Sequence, residues 1–196
     1  MSILVLTSDT LIGTPATGNL EYNGQFYGTD SNASRAQMQR ITQGTAVAST
    51  SGTSIDFTGL PAWVKRVTVA FNGVSLSGTS SVQVQLGTGT TTYTTSGYVG
   101  GGARFGAASV AAGTFTSGFV FNNSTAAALL GGNMTITNVT GNTWSASGIC
   151  GETSGEFVCM TGGSIALAAV LTAVRITSVN GTDTFDAGSI NLLLEG

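Results

Sequence analysis

Beyond about residue 50, apolar and polar residues alternate with period two in one short run after another, and no credible helix lies between the runs. Val67, Val69 and Phe71 oppose Arg66, Thr68 and Ala70, and Val82, Val84 and Leu86 repeat the pattern with Gln83 and Gln85 opposite. Met134, Ile136 and Asn138 alternate with threonines, Val174 and Ile176 flank Arg175, and Ile190, Leu192 and Leu194 close the chain. Strand side chains point to opposite faces in turn, so each run predicts a strand with one buried face. Asn72-Gly73, Ser77-Gly78, Gly131-Gly132, Gly141-Asn142 and Asn180-Gly181 fall between the runs and predict turns. Residues 107–112 and 126–130 read as brief helical turns without helical length. The pattern predicts an all-β, antiparallel β-sandwich, jelly-roll-like, over residues 51–196.

The first fifty residues read differently. Residues 2–14 predict a short extended arm, in which Ile3, Val5 and Thr7 alternate with Leu4, Leu6 and Ser8. A small hairpin follows over residues 18–28, with Asn23-Gly24 as a two-residue turn and Leu20, Tyr22, Phe26 and Tyr27 on its arms. Residues 31–43 predict a short helix, capped by Ser34 and stopped by Gly44. The Ser/Thr/Ala/Gly string over residues 42–53 reads as a linker or an extended strand, which puts a domain boundary near residue 50.

The chain carries six basic and nine acidic side chains and no histidine, so few groups are available for acid–base or nucleophilic chemistry near neutral pH. The expectation is a structural or binding protein, not an enzyme, with no catalytic residues. At 41% apolar residues a core can be buried despite 29 glycines. Lys65-Arg66 is the only adjacent basic pair, so no nucleic-acid partner is expected. The absence of a run of about 18 apolar residues predicts no membrane insertion. The N-terminus lacks the basic start and apolar stretch of a signal peptide, which predicts synthesis in a cytoplasm without export. A weakly charged surface limits the solubility of a monomer, so an oligomer is expected.

Cys150 and Cys159 suit either facing arms of a hairpin joined by a disulfide, or two buried thiols. Two cysteines without histidine fall short of a zinc site. Asp183 and Asp186 are too few oxygens for calcium, and the expectation is that both accept hydrogen bonds in turns. Glu152 and Glu156 are the only glutamates close enough in sequence for a hydrolase pair, but they read as solvated loop charges. Gly87-Thr88-Gly89-Thr90 and Gly100-Gly101-Gly102 lack the lysine and helix of a phosphate loop and read as turns. No metal or cofactor is therefore expected. Trp63 suits a core or a subunit interface, while Tyr93 and Tyr98, in a Thr/Gly/Ser stretch, suit either core packing or surface contact.

Several blocks in order resemble tail-fibre and other virion structural proteins of tailed bacteriophages. They are Ile55-Asp56-Phe57-Thr58-Gly59-Leu60-Pro61-Ala62-Trp63-Val64-Lys65-Arg66-Val67-Thr68-Val69, then Phe71-Asn72-Gly73-Val74-Ser75, Val84-Gln85-Leu86-Gly87 and Thr95-Ser96-Gly97-Tyr98. The end adds Leu171-Thr172-Ala173-Val174-Arg175-Ile176-Thr177 and Gly181-Thr182-Asp183-Thr184-Phe185-Asp186-Ala187-Gly188-Ser189-Ile190-Asn191. The resemblance spans residues 14–28 and 55–196. It implies a β-sandwich assembled on a virus particle, often as a homotrimer. Residues 1–50, with Leu20, Tyr22, Phe26 and Tyr27, would attach to another virion protein of tail or capsid. Loops 87–102 and 148–159, with Tyr93 and Tyr98, would meet a host surface glycan or protein. The alternative is a capsid decoration or cement protein, or a head fibre, that stabilises the shell.

Overall fold

The computed structural model describes residues 14, 16–23, 25–32, 34–106, 110–122, 125–126, 128–153 and 157–196. Residues 2–13 of the expected arm, Gly24 of the hairpin turn, Glu156 and residues 107–109 and 127 of the two brief helical turns lie outside them. The chain divides into two compact units, Met1–Arg40 and Ile41–Gly196.

In the first unit β1 (Leu20–Tyr22), β2 (Phe26–Thr29) and β3 (Arg35–Gln37) form an antiparallel sheet in chain order. The helix predicted over residues 31–43 does not form. Asp30 Oδ1 instead accepts the backbone N–H groups of Asn32 and Ser34, and this Asx turn returns the chain antiparallel to β2. Ser34 is thus held in a turn, not at a helix cap. Helix propensity at Ala36, Gln37 and Met38 is worth only tenths of a kcal/mol each, and the ladder to β2 overrides it.

The second unit contains β4 (Ile41–Gln43), β5 (Val47–Ala48), β6 (Ser54–Thr58), β7 (Arg66–Leu76), β8 (Val82–Gly87), β9 (Val99–Phe105), β10 (Val110–Phe115) and β11 (Phe119–Phe121). β12 (Leu130–Thr140), β13 (Thr143–Glu152), β14 (Phe157–Ala166), β15 (Ala173–Ser178) and β16 (Phe185–Glu195) complete it. One sheet runs β10-β9-β14-β13-β12-β7-β16-β4, with β5 also on β16, and the other runs β11-β8-β15-β6. All pairings are antiparallel, and the unit is an all-β sandwich. The boundary lies at Arg40/Ile41 rather than near residue 50, because β4 and β5 pair with β16 of the sandwich.

The core collects the apolar faces read from the sequence. Val67, Val69, Met134 and Ile136 come from the larger sheet, and Val82, Val84, Leu86, Val174 and Ile176 from the smaller. Phe71 meets Phe121 edge-on at 5.5 Å and joins the two layers. Burying each such side chain contributes about 1.5–3 kcal/mol, so a one-residue slip that turned a whole strand outward is strongly disfavoured.

Glycines read as turns have two fates. Gly141-Asn142 does join β12 to β13, with Thr140 opposite Thr143 and Gly141 at φ +50°. Asn72-Gly73 and Gly131-Gly132 instead lie inside strands, where the register shifts as at a bulge. Gly100-Gly101-Gly102 is likewise strand, within β9 between β10 and β14. A Cβ on Gly102 would stand 2.4 Å from the Val120 carbonyl oxygen, so glycine here lets β11 lie flush against β9.

Candidate binding surfaces

The first unit has two chemically distinct faces. The register pairs Leu20 with Gly28, Tyr22 with Phe26 and Gly28 with Ala36, and Met38 N–H donates to Phe26 O, so Leu20, Tyr22, Phe26 and Met38 share one face. Leu20, Phe26 and Met38 are exposed, and the Tyr22 and Phe26 rings touch at 5.0 Å. On the other face Arg35 donates to both carboxylate oxygens of Glu21, at 2.8 and 3.2 Å. Of the expected attachment residues, Leu20, Tyr22 and Phe26 are therefore brought together, and Tyr27 sits opposite Glu21 and Gln37 on the polar face. Met38 joins the apolar face unforeseen; the alternation of Ala36 and Met38 about Gln37 was the signal that could have found it.

Tyr93 and Tyr98 part company. Tyr98 is core: it is 2% exposed, packs edge-on against Phe119 at 5.0 Å, and its hydroxyl oxygen accepts the Leu86 N–H at 2.8 Å. It cannot meet a host. Leu86 lies beyond the last β11 pair, Phe119 with Val84, so the phenol caps a strand position that β11 does not reach. Burial pushes the Tyr98 hydroxyl up to about 12, with the Leu86 bond opposing. Tyr93 remains at the surface, half-buried, with the Arg175 guanidinium 4.0 Å over its ring. Arg175 in turn donates two 2.7 Å bonds to Asp56 on the neighbouring strand. Loop 87–102 thus narrows to residues 88–98, between β8 and β9, and the described part of loop 148–159 is mostly strand, the paired ends of β13 and β14.

The larger sheet exposes an apolar band on its outer face. Val110 is opposite Phe105 and Phe105 opposite Val158; one step along, Ala103 is opposite Met160 and Met160 opposite Ile149. Val110, Phe105, Val158, Met160 and Ile149 are 44–66% exposed, and no outward position of β9, β10, β13 or β14 carries a charge. The band ends at β10, an edge strand of its sheet. Five such side chains amount to on the order of 400 Å² of apolar surface, as large as the biggest patch on a typical monomer.

Cys150 and Cys159 stand directly opposite each other on β13 and β14, both buried free thiols. Burial first, then the neighbouring thiol, pushes Cys150 up to about 12. Burial and the Glu152 carboxylate do the same to Cys159. Thiols held neutral in this way are poor nucleophiles. Glu152, read as a solvated loop charge, is buried at the end of β13, beside Cys159 at 3.7 Å. Its side chain alternates onto the inner face with Cys150, which the sequence pattern alone did not reveal.

Asp183 accepts hydrogen bonds from Asn180 Nδ2 and Ser80 N–H, and these hold its carboxyl below the usual range. Asp186 accepts from Ser75 Oγ across the sheet instead of in its own turn. Among the described residues no cluster of three His, Cys, Asp or Glu side chains is placed to hold a metal, and no helix is long and apolar enough to cross a membrane. Comparison with protein-family models, curated proteins and solved structures finds no match for the chain.

Proposed function

We propose that this chain is a bacteriophage virion structural protein, a tail-fibre or fibre-tip component that assembles as a homotrimer. The observation that carries the reading is the charge-free apolar band beside the β10 edge. An exposed edge strand beside an apolar face templates association unless it is covered. A second copy is the fitting cover, because the band supplies about half of the ~800 Å² that each partner gives to a standard interface. The two-faced sheet of the first unit serves as the attachment element, its Leu20, Tyr22, Phe26 and Met38 face seated on another virion protein. The sandwich acts by holding and binding rather than by catalysis, and the protein resides in the virion.

Native mass spectrometry of the purified chain tests the assembly. Three copies are expected, and Phe105→Glu with Met160→Glu should give monomers whose β-sheet circular dichroism is unchanged. A wild-type monomer at micromolar concentration would overturn the reading. Attachment at the capsid as a decoration protein is the rival placement. Particles lacking the chain should lose adsorption with intact heads, whereas a cement role predicts early heat release of DNA.

A further inference from the structure

The smaller sheet turns a patterned polar face to solvent. Its register sets Gln85, Arg175 and Asp56 in one row and Gln83, Thr177 and Ser54 in the next, a grid of polar side chains whose neighbours on each strand point into the core. The grid floors a trough of about 360 Å³ walled by Ser117 and the Asn180-Gly181 turn. Its glutamines are only 4% and 5% exposed, yet they line solvent-accessible space.

The donors and acceptors are held in place before anything binds. Gln83 Nε2 donates to Ser178 O at 3.1 Å, and its Oε1 accepts from Ser117 Oγ at 2.9 Å. Gln85 Nε2 donates to Ser117 O at 2.9 Å; among the described residues no donor reaches its Oε1. Thr177 Oγ1 donates to Thr53 O at 2.7 Å and keeps its own acceptor capacity. At the end of the first row the Arg175–Asp56 pair is braced by the Tyr93 ring.

We infer that this trough binds a neutral saccharide. Among the described residues the only charged side chain lining it is Arg175, and Asp56 accepts from its Nε and Nη2 and offsets its charge. An anion would therefore meet no net positive charge in the trough and would lie beside the Asp56 carboxylate, which repels it. An apolar ligand would strip water from fixed amides and hydroxyls without replacing their bonds. A polyhydroxylated ring meets neither penalty, since each hydroxyl both donates and accepts. Tyr93 stacks on Arg175, which lines the trough, and holds that side chain in place. The inference rests on the binding role proposed for the sandwich, but binding is measured on the purified chain without a particle, so the two can fail separately.

The test is an array of immobilised neutral oligosaccharides of glucose, galactose, mannose and N-acetylhexosamines, with sialylated and uronate-bearing ones alongside, probed with the full chain. Binding confined to neutral members is expected. Gln85→Ala and Tyr93→Ala should each weaken it about tenfold, the loss of roughly one good contact. Val99→Thr, outside the trough, should leave it unchanged. Because a glutamine variant can lose fold with function, amide chemical shifts of the wild-type chain are followed on titration with the best array member. Shifts centred on Gln83, Gln85 and Thr177 support the proposal. Preference for acidic members, shifts elsewhere, or no binding to any member overturns it.

Discussion

Replacing Tyr98 by Phe removes one oxygen atom from the core and nothing else. In the native fold that oxygen accepts the N–H of Leu86, a residue with no exposed surface, at 2.8 Å. Phenylalanine keeps the edge-on contact with Phe119 but leaves a buried backbone donor without its acceptor. Such an orphaned group costs about 1–3 kcal/mol. For a unit of this size each kcal/mol moves the midpoint by about 2–4 °C, so thermal unfolding should fall by roughly 2–12 °C. Tyr93→Phe is the matched control. Its hydroxyl, at the half-buried surface, reaches Thr90 O at 3.5 Å and interacts with Asp56 where solvent screens the pair, and the change should stay within about 1 kcal/mol. Urea unfolding followed by tryptophan fluorescence gives both values. Equal stability of the two variants would refute the placement of Tyr98 as the cap on β8.

Alkali should destabilise the protein over a defined window. Cys150, Cys159 and Tyr98 have folded-state values raised to about 12, so their contribution is full below the unfolded values and is lost as pH rises from about 9 through about 12. Urea midpoints that stay flat from pH 8 to 11 would contradict this, and Cys150→Ala with Cys159→Ala should remove the early part of the decline. Both thiols should react with a chromogenic disulfide reagent only in denaturant, and rapid reaction of the native protein would show that they are not buried. Gly188→Ala should cost about 2–4 kcal/mol or prevent folding, because its φ of +91° is strained for alanine and the new Cβ would lie 2.4 Å from Gly73 O. Leu20→Glu with Phe26→Glu should leave the sandwich's unfolding transition unchanged while abolishing incorporation into particles; normal incorporation would rule out this face as the attachment surface.

Period-two patterning carried most of the sandwich, because a strand with one buried face writes its alternation directly into the sequence. Val67, Val69 and Phe71 or Val82, Val84 and Leu86 needed no other context. What escaped depended on partners distant in the chain. Gly100-Gly101-Gly102 carries no side-chain pattern, and only the approach of Val120 explains why glycine there makes strand and not turn. Residues 31–43 have helical propensity, but an Asx turn at Asp30 and the ladder to β2 decide against it. Strand order was illegible for the same reason: β6 pairs with β15, and β7 with β16, across more than a hundred residues. At the sites, the apolar cluster of Leu20, Tyr22 and Phe26 was legible as local sequence. Tyr93 and Tyr98 looked alike in a Thr/Gly/Ser stretch, and their fates were set by Arg175 and Leu86. The polar grid on the smaller sheet is invisible in any single segment, since it draws on β6, β8 and β15 together.

The most direct test of the virion assignment is to locate the chain on the particle that carries it, by electron microscopy with a label fused after Gly196. Labels clustered in threes at the distal tail are the predicted result. Labels distributed over the capsid would contradict the tail placement in favour of the decoration role, and particles that carry no label would contradict the structural role itself.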